Sequence, residues 1–318
     1  MRRCRRNDVP DIVISEFMND SAVAELTASY DVYYDPSLVE RADALRAKVA
    51  GARALIVRDR TQVGRALLDI GARLQVIGRL GVGLDNIDME ACKARGITVV
   101  PATGANVVSV AEYVITGVLM LLRGAFQASS NVLAGEWPRT ALIGRELNGK
   151  TLGLIGFGAI ARAVASRAPS LGMRVIAHDP LVAAGDPVWR ELSVAPHALA
   201  DVLRAADVVS LHVPLNPETR GLIDRDALSL MKPGASLINT ARGGVVDETA
   251  LAGALRARSL GSALLDVFES EPLPADSHLL DVPNLILTPH IAGITEESNE
   301  RVGTLIAARV RQVLEGAP

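Results

Sequence analysis

The apolar and polar positions of this chain follow two alternating patterns. Short apolar runs, for example at residues 52–58, 75–80 and 151–155, have the length and the flanking residues of buried strands. Between such runs, apolar residues recur every three or four positions, which is the spacing of a helix with one buried face. Strands that alternate with helices form parallel sheets covered by helices, so the pattern predicts an α/β protein.

The same pattern locates the individual elements, which fall into two doubly wound parallel sheets. In the first part of the chain we predict strands at residues 11–15, 31–35, 52–58, 75–80 and 97–100, and helices at 21–29, 38–49, 62–70 and 88–95. In the second part we predict strands at residues 151–155, 174–177, 208–213, 235–241, 261–267 and 284–289, and helices at 159–171, 197–206, 225–231, 248–258 and 295–316.

Two segments in the middle of the chain belong to neither sheet. The helix predicted from residue 102 to 123 is apolar around most of its circumference, so we expect it to be buried and to connect two domains. Residues 125–145 then predict an amphipathic helical arm that ends near Gly135 to Arg139. Such an arm commonly joins two copies of a chain, and we expect a homodimer through residues 102–145. Packing of the arm against its own chain is the alternative.

The composition narrows the class of protein. With 318 residues, 49% of them apolar, the chain can bury two ordinary cores. Its net charge of −3 gives no field for nucleic acid or an anionic membrane, so we expect a small ligand. Only Cys4 and Cys92 are present, which excludes a disulfide framework, offers no metal-binding spacing and fits a reducing cytoplasm.

The apolar runs give no targeting signal. The basic N-terminus is followed by an apolar run that is short and interrupted by Asp11 and Glu16, so it is neither a signal peptide nor an anchor. We expect Met1 to Val9 to be a disordered leader. Because no stretch has the length and apolar character of a bilayer span, the sequence predicts no membrane role.

Residues 150–180 combine a strand, a glycine turn, a helix and a second strand in one βαβ unit. In the G-x-G-x-x-A turn, Gly156 permits the tight bend, Gly158 lets the backbone approach a pyrophosphate, and Ala161 permits close helix packing. The first N–H groups of the helix point at the phosphates. Asp179 would accept hydrogen bonds from an adenosine ribose and repel a 2′-phosphate. The unit predicts a Rossmann domain that prefers NAD to NADP.

Charged side chains also follow predicted strands of the first sheet. Arg58 and Arg79 each lie at the carboxyl end of a strand, and Val82 and Gly83 follow the second. Ligands bind at this edge in open α/β sheets, so both arginines are candidate ligand contacts. For each arginine alone, a solvated surface charge is the alternative.

Three loops of the second sheet place further chemistry at strand ends. Residues 240–244, 266–272 and 289–293 bring an arginine, a carboxylate and a histidine to the sheet edge that carries the glycine turn. Each residue alone has an ordinary structural explanation, as a cap, a solvated charge or a packed ring. Their combination predicts an active site.

These ordered motifs resemble the D-isomer-specific 2-hydroxyacid dehydrogenase family, and most closely its short D-3-phosphoglycerate dehydrogenase-like members, which lack a regulatory domain. The resemblance covers residue 11 to the C-terminus through the segments GRLGVGLDNID, SVAE, LNGKTLGLIGFGAIA, HVPL, TARGGVVDE, DVFESEP and PHIAG. It implies a Rossmann NAD-binding domain, residues 102–291, inserted in a flavodoxin-like catalytic domain of residues 1–101 and 292–318. It also implies hydride transfer between nicotinamide and C2 of a small 2-hydroxy or 2-keto acid.

The resemblance assigns the catalytic roles to three residues. Arg242 would bind the substrate carboxylate through two charge-assisted hydrogen bonds and orient the reacting carbon. His290 would donate the proton in reduction and accept it in oxidation. Glu271, paired with His290, would orient the ring and favour its protonated form.

The same comparison of motifs implies further contacts and no metal site. Cofactor contacts are expected at Val82, Gly156, Phe157, Gly158, Ala159, Ile160, Asp179, Pro180, His212, Val213, Pro214, Thr219, Thr240, Ala241, Arg242, Asp266, His290 and Gly293. Asp266 would accept from the nicotinamide carboxamide. Substrate contacts are expected at Arg58, Arg60, Arg79, Val82, Gly83, Asn106 and Arg139.

Two departures from the family pattern limit what the resemblance implies. Ala161 replaces the usual third glycine of the turn, which the motif tolerates. Asp59 places a negative charge in a loop where phosphoglycerate dehydrogenases usually have a neutral residue. Because the sequence stops at residue 318, we expect no C-terminal regulatory domain and no control by serine through it.

The arginines favour a substrate with a second anionic group. Arg58, Arg60, Arg79 and Arg139 exceed what one carboxylate needs, so a phosphate or sulfonate at C3 is predicted, as in 3-phosphoglycerate or sulfolactate. Asp59 favours the monoanionic sulfonate. The alternatives are a glyoxylate or hydroxypyruvate reductase and, in a different class, an NAD-sensing corepressor.

Overall fold

The computed structural model describes residues 9–316, and its chain divides into two compact units. Unit 1 comprises Met1–Asn106 with Ile294–Pro318, and unit 2 is Val107–Gly293. The boundaries predicted after residues 101 and 291 precede these divisions by five and two residues, because the units divide after 106 and 293. The predicted leader lies outside the described residues except for Val9.

Unit 1 contains a five-stranded parallel sheet in the order β2-β1-β3-β4-β5. Its strands are β1 (Ile12–Ile14), β2 (Val32–Tyr34), β3 (Ala54–Val57), β4 (Val76–Arg79) and β5 (Thr98–Pro101). The central strands are buried along their whole length, which explains their unbroken apolar runs. This strand order is that of flavodoxin-like folds, as predicted.

Helices cover both faces of this sheet. They are α1 (Asp20–Thr27), α2 (Ala42–Val49), α3 (Arg65–Ile70), α4 (Met89–Ala94) and α12 (Glu296–Leu314), with a 3₁₀ turn at Leu38–Glu40. The last helix begins with a capping box between Thr295 and Ser298. It packs so closely on β4 that a Cβ on Gly78 would lie 2.8 Å from Ile306 and 2.9 Å from Val310.

Unit 2 contains a seven-stranded parallel sheet in the order β12-β11-β10-β9-β6-β7-β8. Its strands are β6 (Thr151–Ile155), β7 (Arg174–His178), β8 (Ala195–Pro196), β9 (Val208–Leu211), β10 (Ser236–Asn239), β11 (Ser262–Leu265) and β12 (Leu285–Leu287). The strand order reverses between β6 and β9, and the carboxyl ends at such a reversal form the crevice where nucleotides bind. The predicted fold class of two doubly wound parallel sheets is confirmed.

Helices also cover both faces of the sheet of unit 2. They are α5 (Val107–Arg123), α6 (Ser129–Leu133), α7 (Ala159–Ala165), α8 (Pro187–Glu191), α9 (Leu199–Ala205), α10 (Arg225–Leu230) and α11 (Glu248–Arg256), with 3₁₀ turns at Ala125–Gln127 and Ala168–Leu171. Helix α5 packs against α7, and the Phe157 ring stacks on Trp189 with centroids 4.4 Å apart. No helix in the described part of the chain is both long and apolar enough to cross a bilayer.

Two local predictions were wrong, and two short elements were not predicted. The arm at residues 125–145 contains only a 3₁₀ turn and α6, because Gly124 and Gly135 adopt left-handed backbone angles on either side of α6 and Pro138 follows. The helix predicted at 159–171 divides into α7 and a 3₁₀ turn that contains Pro169, which lacks an N–H.

Helix α8 and strand β8 were not predicted. The sequence signal for α8 was Asp186 before Pro187, since the carboxylate caps the helix and proline occupies its first position.

Candidate active site

The glycine turn after β6 has a backbone that only glycine accommodates. Gly156 has a φ of +87°, and a Cβ at this position would lie 2.5 Å from the carbonyl oxygen of His212 on the neighbouring strand end. The Gly156 N–H donates to the carbonyl oxygen of His178 at 2.8 Å. The turn is therefore enclosed by the ends of β7 and β9.

The second glycine of the turn faces open space. Gly158 is the N-cap of α7, and a Cβ built on it would meet no atom within 4 Å. The N–H groups of Ala159 and Ile160 begin the helix and have no place in its ladder. Ala161, in the first turn of α7, is fully buried. The space in front of Gly158 and the free end of the helix fit a dinucleotide pyrophosphate.

Asp179 lies at the end of β7 beside this turn. Its carboxylate accepts from the Phe157 N–H at 2.7 Å and from the Leu181 N–H at 2.8 Å. These bonds fix the carboxylate and leave each oxygen one further acceptor position. Phe157 itself contributes only backbone here, since its side chain is buried against Trp189.

The segment after β9 forms the other side of the turn. The His212 Nε2 atom lies 3.0 Å from the Ser210 hydroxyl, and burial lowers the pKa of His212 to about 4. The imidazole is therefore neutral at pH 7. The Thr219 hydroxyl donates to the Pro214 carbonyl oxygen at 2.6 Å and closes the loop that follows Val213.

Asn239 shapes the loop that carries Arg242. The buried Asn239 side chain accepts from the Ala241 N–H at 3.0 Å and donates to the Arg242 carbonyl oxygen at 2.9 Å. The Arg242 guanidinium is half-buried and donates to the Ala241 carbonyl oxygen at 2.6 Å. The Thr240 hydroxyl oxygen is buried and has no hydrogen-bond partner among the described residues, so it is available to a ligand.

Asp266, at the end of β11, holds the loop that carries His290. Its carboxylate is 1% exposed and accepts from the Thr288 hydroxyl at 2.7 Å, the Ile291 N–H at 2.9 Å and the Ala292 N–H at 2.8 Å. The Asp266 carbonyl oxygen also accepts from the His290 N–H at 2.8 Å. Asp266, at the end of the neighbouring strand β11, therefore fixes the backbone of the loop that carries His290.

Glu271 and His290 form a direct pair. Glu271 Oε2 lies 2.8 Å from His290 Nδ1, and both side chains are about one-third exposed, at 34% and 35%. Burial by itself would raise the pKa of Glu271. The hydrogen bonds from His290 and the Phe268 N–H, with the charges of His290 and Arg242, outweigh burial and lower that pKa. An ionised Glu271 fixes the proton on Nδ1 and leaves Nε2 to react.

In unit 1, a buried carboxylate organises the loop that carries Arg58 and Arg60. Glu16 is 4% exposed and accepts from the N–H groups of Arg58 at 2.8 Å, Arg60 at 3.1 Å and Thr61 at 2.9 Å. We did not predict this role for Glu16. The signal was a carboxylate directly after the buried strand β1, where solvent is scarce.

The two arginines of this loop differ. Arg58 is half-buried and donates to the Asn299 side-chain oxygen at 2.8 Å, and burial lowers its pKa. Arg60 is exposed and pairs with Glu40 at 3.2 Å, with both side chains 61% exposed. Asp59 is exposed between them.

The remaining substrate candidates of unit 1 follow β4 and β5. Arg79 is 9% exposed, and its guanidinium lies against Gly81, where a Cβ would be 1.5 Å from Nη1. Val82 is 40% exposed, Gly83 is partly exposed, and the side-chain oxygen of Asn106 is buried without a partner among the described residues. Arginine and amide groups thus collect at the carboxyl edge of this sheet.

The other predicted site residues lie at the margins of these groups. Pro180 and Arg139 are exposed, and Gly293 is partly exposed. Arg139 lies in the arm after α6.

The fold and the site define a dehydrogenase that uses a nicotinamide dinucleotide, and the comparisons with known proteins give its family. The model of the D-isomer specific 2-hydroxyacid dehydrogenase NAD-binding domain matches residues 115–292. The chain belongs to this family. It is therefore an oxidoreductase that uses NAD and acts on 2-hydroxy acids.

Individual relatives agree along almost the whole chain. The (S)-sulfolactate dehydrogenase of Chromohalobacter salexigens is 58% identical over 304 residues, which are 96% of this chain and 98% of that enzyme. The D-3-phosphoglycerate dehydrogenase of Mycobacterium leprae is 40% identical over 97% of this chain, but the match spans only 58% of that enzyme. Among solved structures, the TT0316 protein of Thermus thermophilus is 35% identical with a TM-score of 0.88, covering 96% of this chain and 97% of that one.

Proposed function

We propose that this protein is an (S)-sulfolactate dehydrogenase that interconverts sulfolactate and 3-sulfopyruvate with NAD. The observation that carries this proposal is the 58% identity to an (S)-sulfolactate dehydrogenase over 98% of that enzyme's length. The phosphoglycerate dehydrogenase match, at 40% identity and 58% of that enzyme's length, gives weaker support for a phosphate substrate.

The stereochemical label of the substrate agrees with a D-specific family. In lactate the carboxylate ranks above the methyl group, so the D isomer is called R. In sulfolactate the sulfur-bearing CH₂ group ranks above the carboxylate, which reverses the label without moving an atom. The S isomer of sulfolactate therefore has the spatial arrangement of D-lactate, and the same hydride face and proton position serve both acids.

Each of the three catalytic residues of unit 2 has its own role in the proposed reaction. NAD⁺, when bound, would supply the acceptor for the hydride that leaves C2 of the hydroxy acid. Arg242 binds the C1 carboxylate through its two-pronged guanidinium and orients C2. His290 Nε2 removes the proton of the C2 hydroxyl, and Glu271 keeps the imidazole oriented and stabilises its charged form.

The cofactor contacts follow from the turn and the strand ends around it. Gly158 and the first N–H groups of α7 would hold the pyrophosphate, and Asp179 would bind the adenosine ribose and disfavour NADP. Thr240 supplies a hydroxyl that has no partner among the described residues. His212, neutral at pH 7, adjoins the cofactor without placing a charge there.

The arginines of unit 1 supply the positive charge for a C3 sulfonate. The N–H groups of Arg58, Arg60 and Thr61, three of the four in this loop, already donate to Glu16, so the guanidinium groups are the main donors left for an anion here. Arg58 and Arg79 are the favoured contacts because Arg79 is buried and Arg58 half-buried at strand ends, whereas Arg60 is exposed and paired with Glu40. Asp59 opposes a dianionic phosphate more strongly than a monoanionic sulfonate.

We further propose that the protein is a cytoplasmic homodimer that contacts its partner through the arm. The arm exposes large apolar side chains, with Leu133 89%, Trp137 74% and Ile143 78% exposed. Large exposed apolar side chains concentrated in one segment in this way are typical of protein interfaces. In this arrangement Arg139 would serve a partner's site.

The substrate is tested by comparing kcat/KM for sulfolactate, 3-phosphoglycerate, glycerate and lactate in the wild type and in Arg58→Ala and Arg60→Ala variants. We expect sulfolactate to be preferred, and we expect Arg58→Ala to penalise the two acids with a C3 anion selectively. Arg60→Ala should have the smaller effect because Arg60 pairs with Glu40 in an exposed position. A preference for glycerate, or an equal loss for lactate, would contradict the proposal.

Reduction of glyoxylate or hydroxypyruvate alone would favour the reductase alternative, and NADH binding without turnover would favour a sensor.

A further inference from the structure

The peptide between Phe268 and Glu269 rests directly on the loop of Arg242. A Cβ built on Gly243 would lie 1.7 Å from the Phe268 carbonyl oxygen and 2.7 Å from the Glu269 nitrogen. No side chain larger than hydrogen fits between these two backbones. The position of this peptide is thus tied to the residue that follows Arg242.

Glu248 holds the same peptide through its N–H group. This residue begins α11, is 4% exposed, and accepts from the Glu269 N–H at 2.7 Å. Burying a carboxyl group costs free energy unless the group is hydrogen-bonded. The Glu269 N–H supplies such a bond to Glu248. Burial raises the pKa of Glu248, and the charges of Glu269 and Glu271 add to this rise. The hydrogen bond from the Glu269 N–H partly offsets the rise.

The peptide connects Glu248 with the catalytic pair. The Phe268 N–H donates to Glu271 Oε1 at 3.0 Å, and the other oxygen of Glu271 lies 2.8 Å from His290 Nδ1. A shift of residues 268 and 269 would therefore change the bonds that orient Glu271, and through it the imidazole. The Phe268 ring is 8% exposed and packs in the hydrophobic core of unit 2, which anchors residues 268 and 269.

We propose that Glu248 is a positioning residue for the Glu271–His290 pair, acting by fixing the Phe268–Glu269 peptide against Gly243. This inference rests on the roles proposed above for Arg242, Glu271 and His290. It assigns to Glu248 a task in catalysis that is exerted through the Glu269 N–H. The competing explanation is that Glu248 merely stabilises the first turn of α11.

The helix itself offers a matched control. Asp247, the N-cap of α11, accepts from the Ala250 N–H at 2.9 Å, and its side chain has no described contact with residues 268–271. Asp247→Ala removes a cap and lowers the melting temperature without releasing the peptide. Glu248→Gln keeps an acceptor oxygen, whereas Glu248→Met keeps similar volume and removes the acceptor.

The experiment measures kcat, KM, the pH profile of reduction, NADH affinity and melting temperature for these three variants, with the 2-oxo acid that the wild type reduces fastest. We expect Glu248→Met to lower kcat by about 10- to 100-fold and to move the pH profile, with NADH affinity within about twofold of wild type. Glu248→Gln should recover most of kcat, and Asp247→Ala should retain kcat and the wild-type profile. Should Glu248→Met fail to fold, Glu248→Ala replaces it.

Three results would overturn the proposal. They are a folded Glu248→Met enzyme with wild-type kcat and pH profile, a Glu248→Gln enzyme as impaired as Glu248→Met, and an Asp247→Ala enzyme with the same kinetic defect. Failure of the proposed substrate is distinguishable, because it appears in the wild type as absent sulfolactate turnover, whereas failure of this inference appears only in the variants.

Discussion

Replacing the two glycines of the cofactor turn separately should distinguish folding from cofactor binding. At Gly156, φ is +87° and an added Cβ would lie 2.5 Å from the His212 carbonyl oxygen. A left-handed backbone costs an ordinary residue about 1–2 kcal/mol and overpacking about 1–3 kcal/mol, whereas the narrower unfolded ensemble of alanine returns only about 0.4–1 kcal/mol. Gly156→Ala should therefore destabilise the protein by about 2–4 kcal/mol.

Gly158 presents the opposite case. Its φ is −75°, which any residue adopts, and a Cβ there would meet nothing within 4 Å. Gly158→Ala should keep or slightly raise the stability of the cofactor-free protein. Its methyl group would occupy the space through which a pyrophosphate approaches the backbone, so NADH affinity should fall by at least about tenfold, or about 1.4 kcal/mol.

Thermal unfolding without cofactor and NADH titration by fluorescence measure the two effects. For a unit of this size, the loss at Gly156 corresponds to a melting temperature about 4–16 °C lower. Gly185→Ala is the control, since Gly185 is exposed and has no atom within 4 Å of an added Cβ. Wild-type NADH affinity in Gly158→Ala would refute the proposed pyrophosphate position, and wild-type stability in Gly156→Ala would refute the steric argument.

Four further substitutions test the proposed roles. Arg242→Ala and His290→Ala should each lower turnover by about 10²- to 10⁴-fold while NADH affinity, measured by titration, stays near wild type; near-normal turnover would exclude the assigned role. Because the Glu271 pKa is lowered, its carboxylate is charged throughout the neutral range, so Glu271→Gln should move the pH optimum of 2-oxo acid reduction down by about one pH unit. An unchanged profile would make Glu271 structural. Asp179→Ser should narrow the ratio of kcat/KM for NADH over NADPH, and a wild-type enzyme that already prefers NADPH would contradict this assignment.

Periodicity and spacing were sufficient to predict the sheets and the cofactor turn. The buried strands are unbroken apolar runs, and the turn at Gly156 needs a residue type that the sequence displays directly. The arm was mispredicted because its apolar spacing suits a helix, while the left-handed glycines beside α6 limit the helix to five residues. Local chemistry prevailed there over periodicity.

The pairing of Glu271 with His290 could be expected only from the family resemblance, since 19 residues separate them in the chain. Glu16 and Glu248 were not predicted because their importance lies in backbone N–H groups that are distant in sequence, 42 residues for Arg58 and 21 for Glu269. A carboxylate in an apolar stretch signals that such donors exist. Which donors they are depends on tertiary packing.

The packing of α12 against β4 has a consequence for the order in which the protein is made. Every element of unit 2 is synthesised before this helix, whereas the β1 to β5 sheet of unit 1 precedes both. Until α12 emerges from the ribosome, the face of β4 around Gly78 lacks the cover of Ile306 and Val310. On a nascent chain, the sheet that is translated first therefore completes its core last, and during that interval its apolar face is a target for chaperones.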